Sequence, residues 1–140
     1  MSNQYSMKIY PAGRGREVYR NIEICGSSTL NQLCQVILES FDFIDEHLYE
    51  FCMDNRMYSE HAYQSDPEGD ESSADITLDE VGLCKGQKFA LHYDFGDDWM
   101  FTITVSKISE VQEDFEPCVI KSKGTVQQYP DWDEEDFDEE

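Results

Sequence analysis

Apolar and polar positions alternate from the start of the chain. Tyr5, Met7 and Ile9 recur at a spacing of two, the period of a strand with one buried face. PAGRGR at 11–16 is a turn signal. Val18, Ile22 and Ile24, with Arg20 in phase, then continue the alternation. The two runs predict a hairpin whose loop is longer than the tightest type. The period lengthens next. Leu30, Leu33, Cys34, Ile37, Leu38 and Phe41 fall on one face of a helix, and Thr29 with Gln32 forms a capping box at its start.

Tyr49, Phe51 and Met53 return to a period of two, and Asn55-Arg56 reads as a turn. Residues 59–75 hold six acids, no Lys or Arg, Pro67 and Gly69, which predicts an exposed, mobile acidic loop. Thr77 and Glu80 form a second capping box, with Gly82 as a helix stop. Phe89, Leu91 and Tyr93, then Trp99, Phe101, Ile103 and Val105, predict a second hairpin turning at 94–98. Val119-Ile120 reads as a short edge strand. The order β-β-α-β, short helix, β-β predicts an α+β fold: a β-grasp-like mixed sheet with one main helix packed on one face. One domain is expected over 1–125. Residues 126–140 are expected to be an acidic, disordered tail, because eight acids in 131–140 repel one another.

Charge changes the picture most. With 31 Asp+Glu against 10 Lys+Arg in 140 residues, the net charge is −21. That exceeds the roughly 2–8 units that keep a small domain soluble. It disfavours direct nucleic-acid binding, which needs clustered Lys and Arg, and it disfavours anionic membrane surfaces. It favours a basic protein partner. No apolar run reaches the roughly 20 residues of a membrane-spanning helix, and MSNQYSMKIY lacks a hydrophobic signal core; a cytoplasmic setting is expected. Cys25, Cys34, Cys52, Cys84 and Cys118 include no C-x-x-C pair, so buried thiols are expected rather than disulfides or zinc ligands.

The acidic turn carries the candidate chemistry. Asp94, Asp97 and Asp98 lie within five residues, and with His47 they could hold a hard divalent cation. Asp and Gly are equally ordinary turn formers. On that reading Gly96 takes positive φ and an aspartate bonds the turn amides. His92 is out of phase with its strand's apolar residues and is expected on the opposite face as a hydrogen-bonded or surface side chain.

The helix running into SFDFIDEHLYEF (40–51), the stretch TLDEVGLCKGQKFALHYDFGDDW (77–99) and FTITV (101–105) together resemble the Ri-plasmid ORF-three-like proteins, also called transposon-passenger TnpR-like proteins. The motif residues that carry the resemblance are His47, Leu48, Phe51, Tyr93, Asp94, Phe95, Gly96, Asp97 and Trp99. The resemblance implies an α+β domain of bacterial or archaeal mobile elements, without an established reaction or cofactor. Members commonly carry His where this chain has Tyr49 and Phe101, so any histidine site of the family would be largely missing here. The expected function is a non-enzymatic interaction module for a basic protein. Its candidate contact residues are Glu68, Asp70, Glu71, Trp132 and Phe137. The alternatives are a metal-dependent enzyme acting on nucleotides or phosphoesters through the aspartates, and a DNA-mimic inhibitor of a nucleic-acid-binding protein.

Overall fold

The structure, a computed structural model, describes residues 2–44, 47–55, 61–65, 72–96 and 98–126. Its frame is β1 (Ser2–Pro11), β2 (Tyr19–Cys25), α1 (Leu30–Ser40), β3 (Tyr49–Cys52), β4 (Ala62–Gln64), β5 (Ser72–Ser73), α2 (Leu78–Val81), β6 (Lys88–Tyr93), β7 (Trp99–Val111) and β8 (Cys118–Lys123). One sheet takes all the strands, in the order β5-β4-β3-β6-β7-β1-β2-β8.

This corrects the expected fold class. The architecture is a predominantly antiparallel sheet rather than a β-grasp-like mixed sheet built on a main helix. Seven strands pair antiparallel, and only the two-residue β5 joins in parallel, on β4. The helices are minor, at 11 and 4 residues. Period-2 alternation reports that a strand has a buried face but not the direction of its neighbour. The long β7 settles the topology by running antiparallel to both β1 and β6. The segment read as an acidic loop contributes β4 and β5, while residues 66–71 lie outside the described residues.

One face of the sheet is apolar. Ile9, Ile103 and Phe89 form one cross-strand row; Phe101, Leu91 and Phe51 form the next. All six are fully buried. They share a core with Leu30, Leu33, Cys34, Ile37 and Leu38 of α1, the stripe that the 3.6-residue period marks out. Both predicted capping boxes form, at Thr29–Gln32 and Thr77–Glu80, and Gly82 ends α2 in the left-handed region at φ 79°. Arg20 is buried in this core. Its guanidinium donates to the carbonyls of Ser40, Tyr19 and Lys123 and lies 4.4 Å over the Phe41 ring. Burial lowers its pKa. One charged side chain thus ties the end of α1 to the β2–β8 edge, and its bond to Ser40 satisfies one of the carbonyls that a helix C-terminus leaves unpaired. Three of the five cysteines are buried, whereas Cys84 and Cys118 are exposed. Among the described residues, no helix is long and apolar enough to cross a membrane.

Tyr5 joins the start of the sheet to α2 by donating its hydroxyl to Asp79 Oδ1 at 2.8 Å. Burial, with the Asp79 carboxylate adding to it, pushes the Tyr5 pKa up from 10.0 to about 12. The folded chain therefore holds this proton more tightly than the unfolded chain. The associated stability is complete below pH 10 and is lost as pH rises toward 12. Urea midpoints measured from pH 9 to 12 should fall more steeply for the native chain than for Tyr5→Phe. Equal slopes would remove Tyr5 as the cause.

Candidate functional site

The turn joining β6 to β7 is built by its aspartates. Asp94 and Asp98 sit at φ 63° and 53°, a left-handed conformation that Asp tolerates better than most residues. Asp94 Oδ1 accepts from the Gly96 amide at 3.1 Å, and the Asp98 amide donates to the Asp94 carbonyl at 2.6 Å. An aspartate does bond the turn amides, as the turn reading expects, but Gly96 is not among the positive-φ residues. A Cβ placed at Gly96 would lie 3.4 Å from Asp94 Oδ1, an ordinary contact. Gly96→Ala is therefore expected to change stability by less than about 1 kcal/mol, read from a denaturation midpoint. A larger loss would mean that the turn needs glycine's freedom.

Behind the turn lies a network that the sequence only half reveals. Glu50 and His92 are cross-strand partners on the face away from the core, at 1% and 0% exposure. His92 Nδ1 is 2.6 Å from Glu50 Oε2, and its Nε2 is 2.6 Å from Asp98 Oδ1. Phe95 covers the imidazole with ring centroids 4.9 Å apart, and Gln64 donates to Glu50 Oε1 at 3.3 Å. An ionised carboxylate only accepts hydrogen bonds, so two protons are shared among these three groups, and both bonds are of the short, charge-assisted kind. The network fastens β3 and β6 to the first residue before β7. It leaves neither ring nitrogen of His92 facing a substrate. His92 lies on the opposite face and is hydrogen-bonded, as expected; its complete burial and its Glu50 partner were not foreseen. The available signal was that both residues occupy the polar phase of their strands, which becomes informative only once register makes them neighbours.

Of the proposed cation ligands, His47 and Asp94 meet, with Nε2 3.4 Å from Oδ2. The His47 ring also stands edge-on to Tyr93, with centroids 5.7 Å apart. Asp98 is committed to His92, and Asp97 lies outside the described residues. Among the described residues no three His, Cys, Asp or Glu side chains form a group that could hold a metal ion. The remaining motif residues mostly serve the fold. Phe51 and Tyr93 are fully buried, and the Tyr93 hydroxyl donates to the Ile44 carbonyl. Trp99 stacks on Phe101 at 6.0 Å and meets Phe43 edge-on at 4.8 Å. Leu48 is exposed, but its carbonyl accepts from the Asp94 amide. Glu68, Asp70, Glu71, Trp132 and Phe137 lie outside the described residues, as does all of the expected tail except Val126, which packs partly buried against the core.

Among solved structures, the chain is similar to a protein of unknown function, MM3350, from Methanosarcina mazei Go1. The TM-score is 0.71 at 23% identity, over 99% of this chain and 81% of that one; the likeness extends to the fold. No curated protein matches the chain. A family model described as plasmid pRiA4b ORF-3-like protein matches residues 3–131, so the chain belongs to that family.

Proposed function

We propose that this chain is a non-enzymatic interaction module that binds a basic protein partner through its acidic surface. The observation that carries this reading is the charge of −21, together with where the described acids lie. Exposed Asp75 precedes α2 and exposed Asp79 and Glu80 lie in it, and exposed Glu110, Glu113, Asp114 and Glu116 run from the end of β7 toward β8. The two groups meet around the 26–28 turn. There the Asp79 amide donates to the Gly26 carbonyl, and Ser27 Oγ donates to Asp114 Oδ2 at 3.0 Å. Like charges gathered at one end of a sheet raise the local potential and steer an oppositely charged partner toward it.

The non-enzymatic half of the proposal rests on the turn, whose described carboxylates hold the backbone and His92. Calorimetric titration with Mg²⁺, Mn²⁺, Ca²⁺ and Zn²⁺, paired with phosphoester turnover assays, tests it. The expected result is no site tighter than about 10 µM and no turnover. Tight binding lost in an Asp94→Asn/Asp98→Asn chain, with turnover lost alongside, would instead make the protein a metal-dependent enzyme.

A further inference from the structure

One patch of the sheet face away from the core holds the reverse of the chain's overall charge. Lys8 on β1 and Lys88 on β6 are both register partners of Thr104 on β7, so one threonine stands between two lysines in a single cross-strand row. Two strand spacings place their backbones about 10 Å apart. The β1–β2 loop brings Arg14 and Arg16 over the same place. The resulting cleft is about 690 Å³ and includes Tyr10, Thr102 and Ser106 in its lining. Four of the chain's ten Lys and Arg therefore share one cavity in a protein with 31 acids. Among the described residues, no carboxylate forms an ion pair with Lys8, Lys88 or Arg16. Arg14 meets Glu17 at 3.5 Å, in an exposed pair of adjacent turns. The Lys8 ammonium is held over the rings of Tyr19 at 4.9 Å and Tyr10 at 5.4 Å.

We propose that this cleft binds a small soluble ligand carrying a chain of phosphates, such as a nucleoside polyphosphate. The size lies within the usual range for small-molecule sites, about 300–1,000 Å³. The two lysines stand on either side of the row, so an extended polyanion reaches both more readily than one carboxylate does. Lysine serves phosphate as a point charge and arginine as a two-pronged donor, and the hydroxyls of Thr102, Thr104 and Ser106 add neutral donors. Among the described residues, Glu17 is the one carboxylate in the lining, against four cations, and the acidic groups around the 26–28 turn lie outside it. Charges beyond the Debye length of about 8 Å at physiological salt are largely screened, so the four cations and Glu17 of the lining weigh most in the field a ligand meets. This site is separate from the acidic surface and does not rest on the partner reading.

Calorimetry on the full chain tests it, with inorganic tripolyphosphate, ATP and a short oligothymidylate as probes at about 0.15 M salt. Tripolyphosphate and ATP should bind one to one. Lys8→Gln/Lys88→Gln should weaken both about tenfold or more, the loss expected from removing charged hydrogen-bond donors. Arg14→Gln/Arg16→Gln, on an exposed loop, should weaken them too, whereas Lys85→Gln/Lys107→Gln should leave them unchanged. Lys8 is half-buried and Lys88 exposed, and an unchanged far-ultraviolet spectrum would verify folding of each variant. The proposal is overturned by absent saturation with both small probes, by equal affinity in all variants, or by saturable binding of the oligonucleotide alone, which would assign the face to nucleic acid.

Discussion

Replacing His92 by alanine is expected to cost about 3–5 kcal/mol of folding stability, the range for breaking a buried ion pair from one side. The reason is what remains behind. Glu50 is 1% exposed and loses its imidazole partner at 2.6 Å, the shortest of its described contacts; the hydrogen bond from Gln64 is longer, at 3.3 Å. Burying a carboxylate with fewer hydrogen-bond donors around it is costly. Glu50→Gln in the His92→Ala background should recover part of the loss, because a neutral amide is cheaper to bury. Urea denaturation of the two single variants and the double variant gives the coupling directly. A loss under about 1 kcal/mol, the scale of an exposed pair, would show that the network is not a structural clamp.

The second large effect is at Phe101. Its ring is fully buried and touches Phe41 at 5.0 Å, Phe43 at 5.6 Å and Trp99 at 6.0 Å. It is where β7 meets the segment that follows α1. Phe101→Ala should cost about 3–5 kcal/mol, combining lost burial with an unfilled cavity, and Phe101→Leu should cost markedly less. Near-equal losses for the two variants in the same denaturation experiment would mean that aromatic geometry, rather than volume, sets the requirement. Its three aromatic neighbours and full burial place this position in the core.

The sequence made the local elements legible where one period runs unbroken. The stripe from Leu30 to Phe41, both capping boxes and the Phe89–Val105 hairpin all formed as their spacing predicts. What it hid follows from two irregularities and from register. In the β1–β7 ladder Ser6 pairs with Lys107 but Met7 with Val105. Ser106 is an extra residue, and the apolar phase jumps from Val105 to Ile108. That slip conceals the last third of β7. A similar shift opposite Asn21 and Ile22 skips Ile120 in β8, whose six residues are all exposed and carry little pattern. Register then explains the two polar assemblies. Glu50 and His92 are 42 residues apart, and Lys8 and Lys88 are still further apart in sequence, so neither pairing is visible as a motif. An overall excess of acids conceals a local excess of bases, because composition averages over the surface that folding divides.

The most direct measurement is the association rate of the chain with a purified basic partner, recovered on the immobilised protein, as salt rises from about 50 to 300 mM. Binding led by the acidic surface predicts a rate that falls steeply while dissociation changes little. Glu110→Gln/Glu113→Gln/Glu116→Gln should reproduce the high-salt rate at low salt. An association rate indifferent to both salt and these substitutions would contradict recognition by charge.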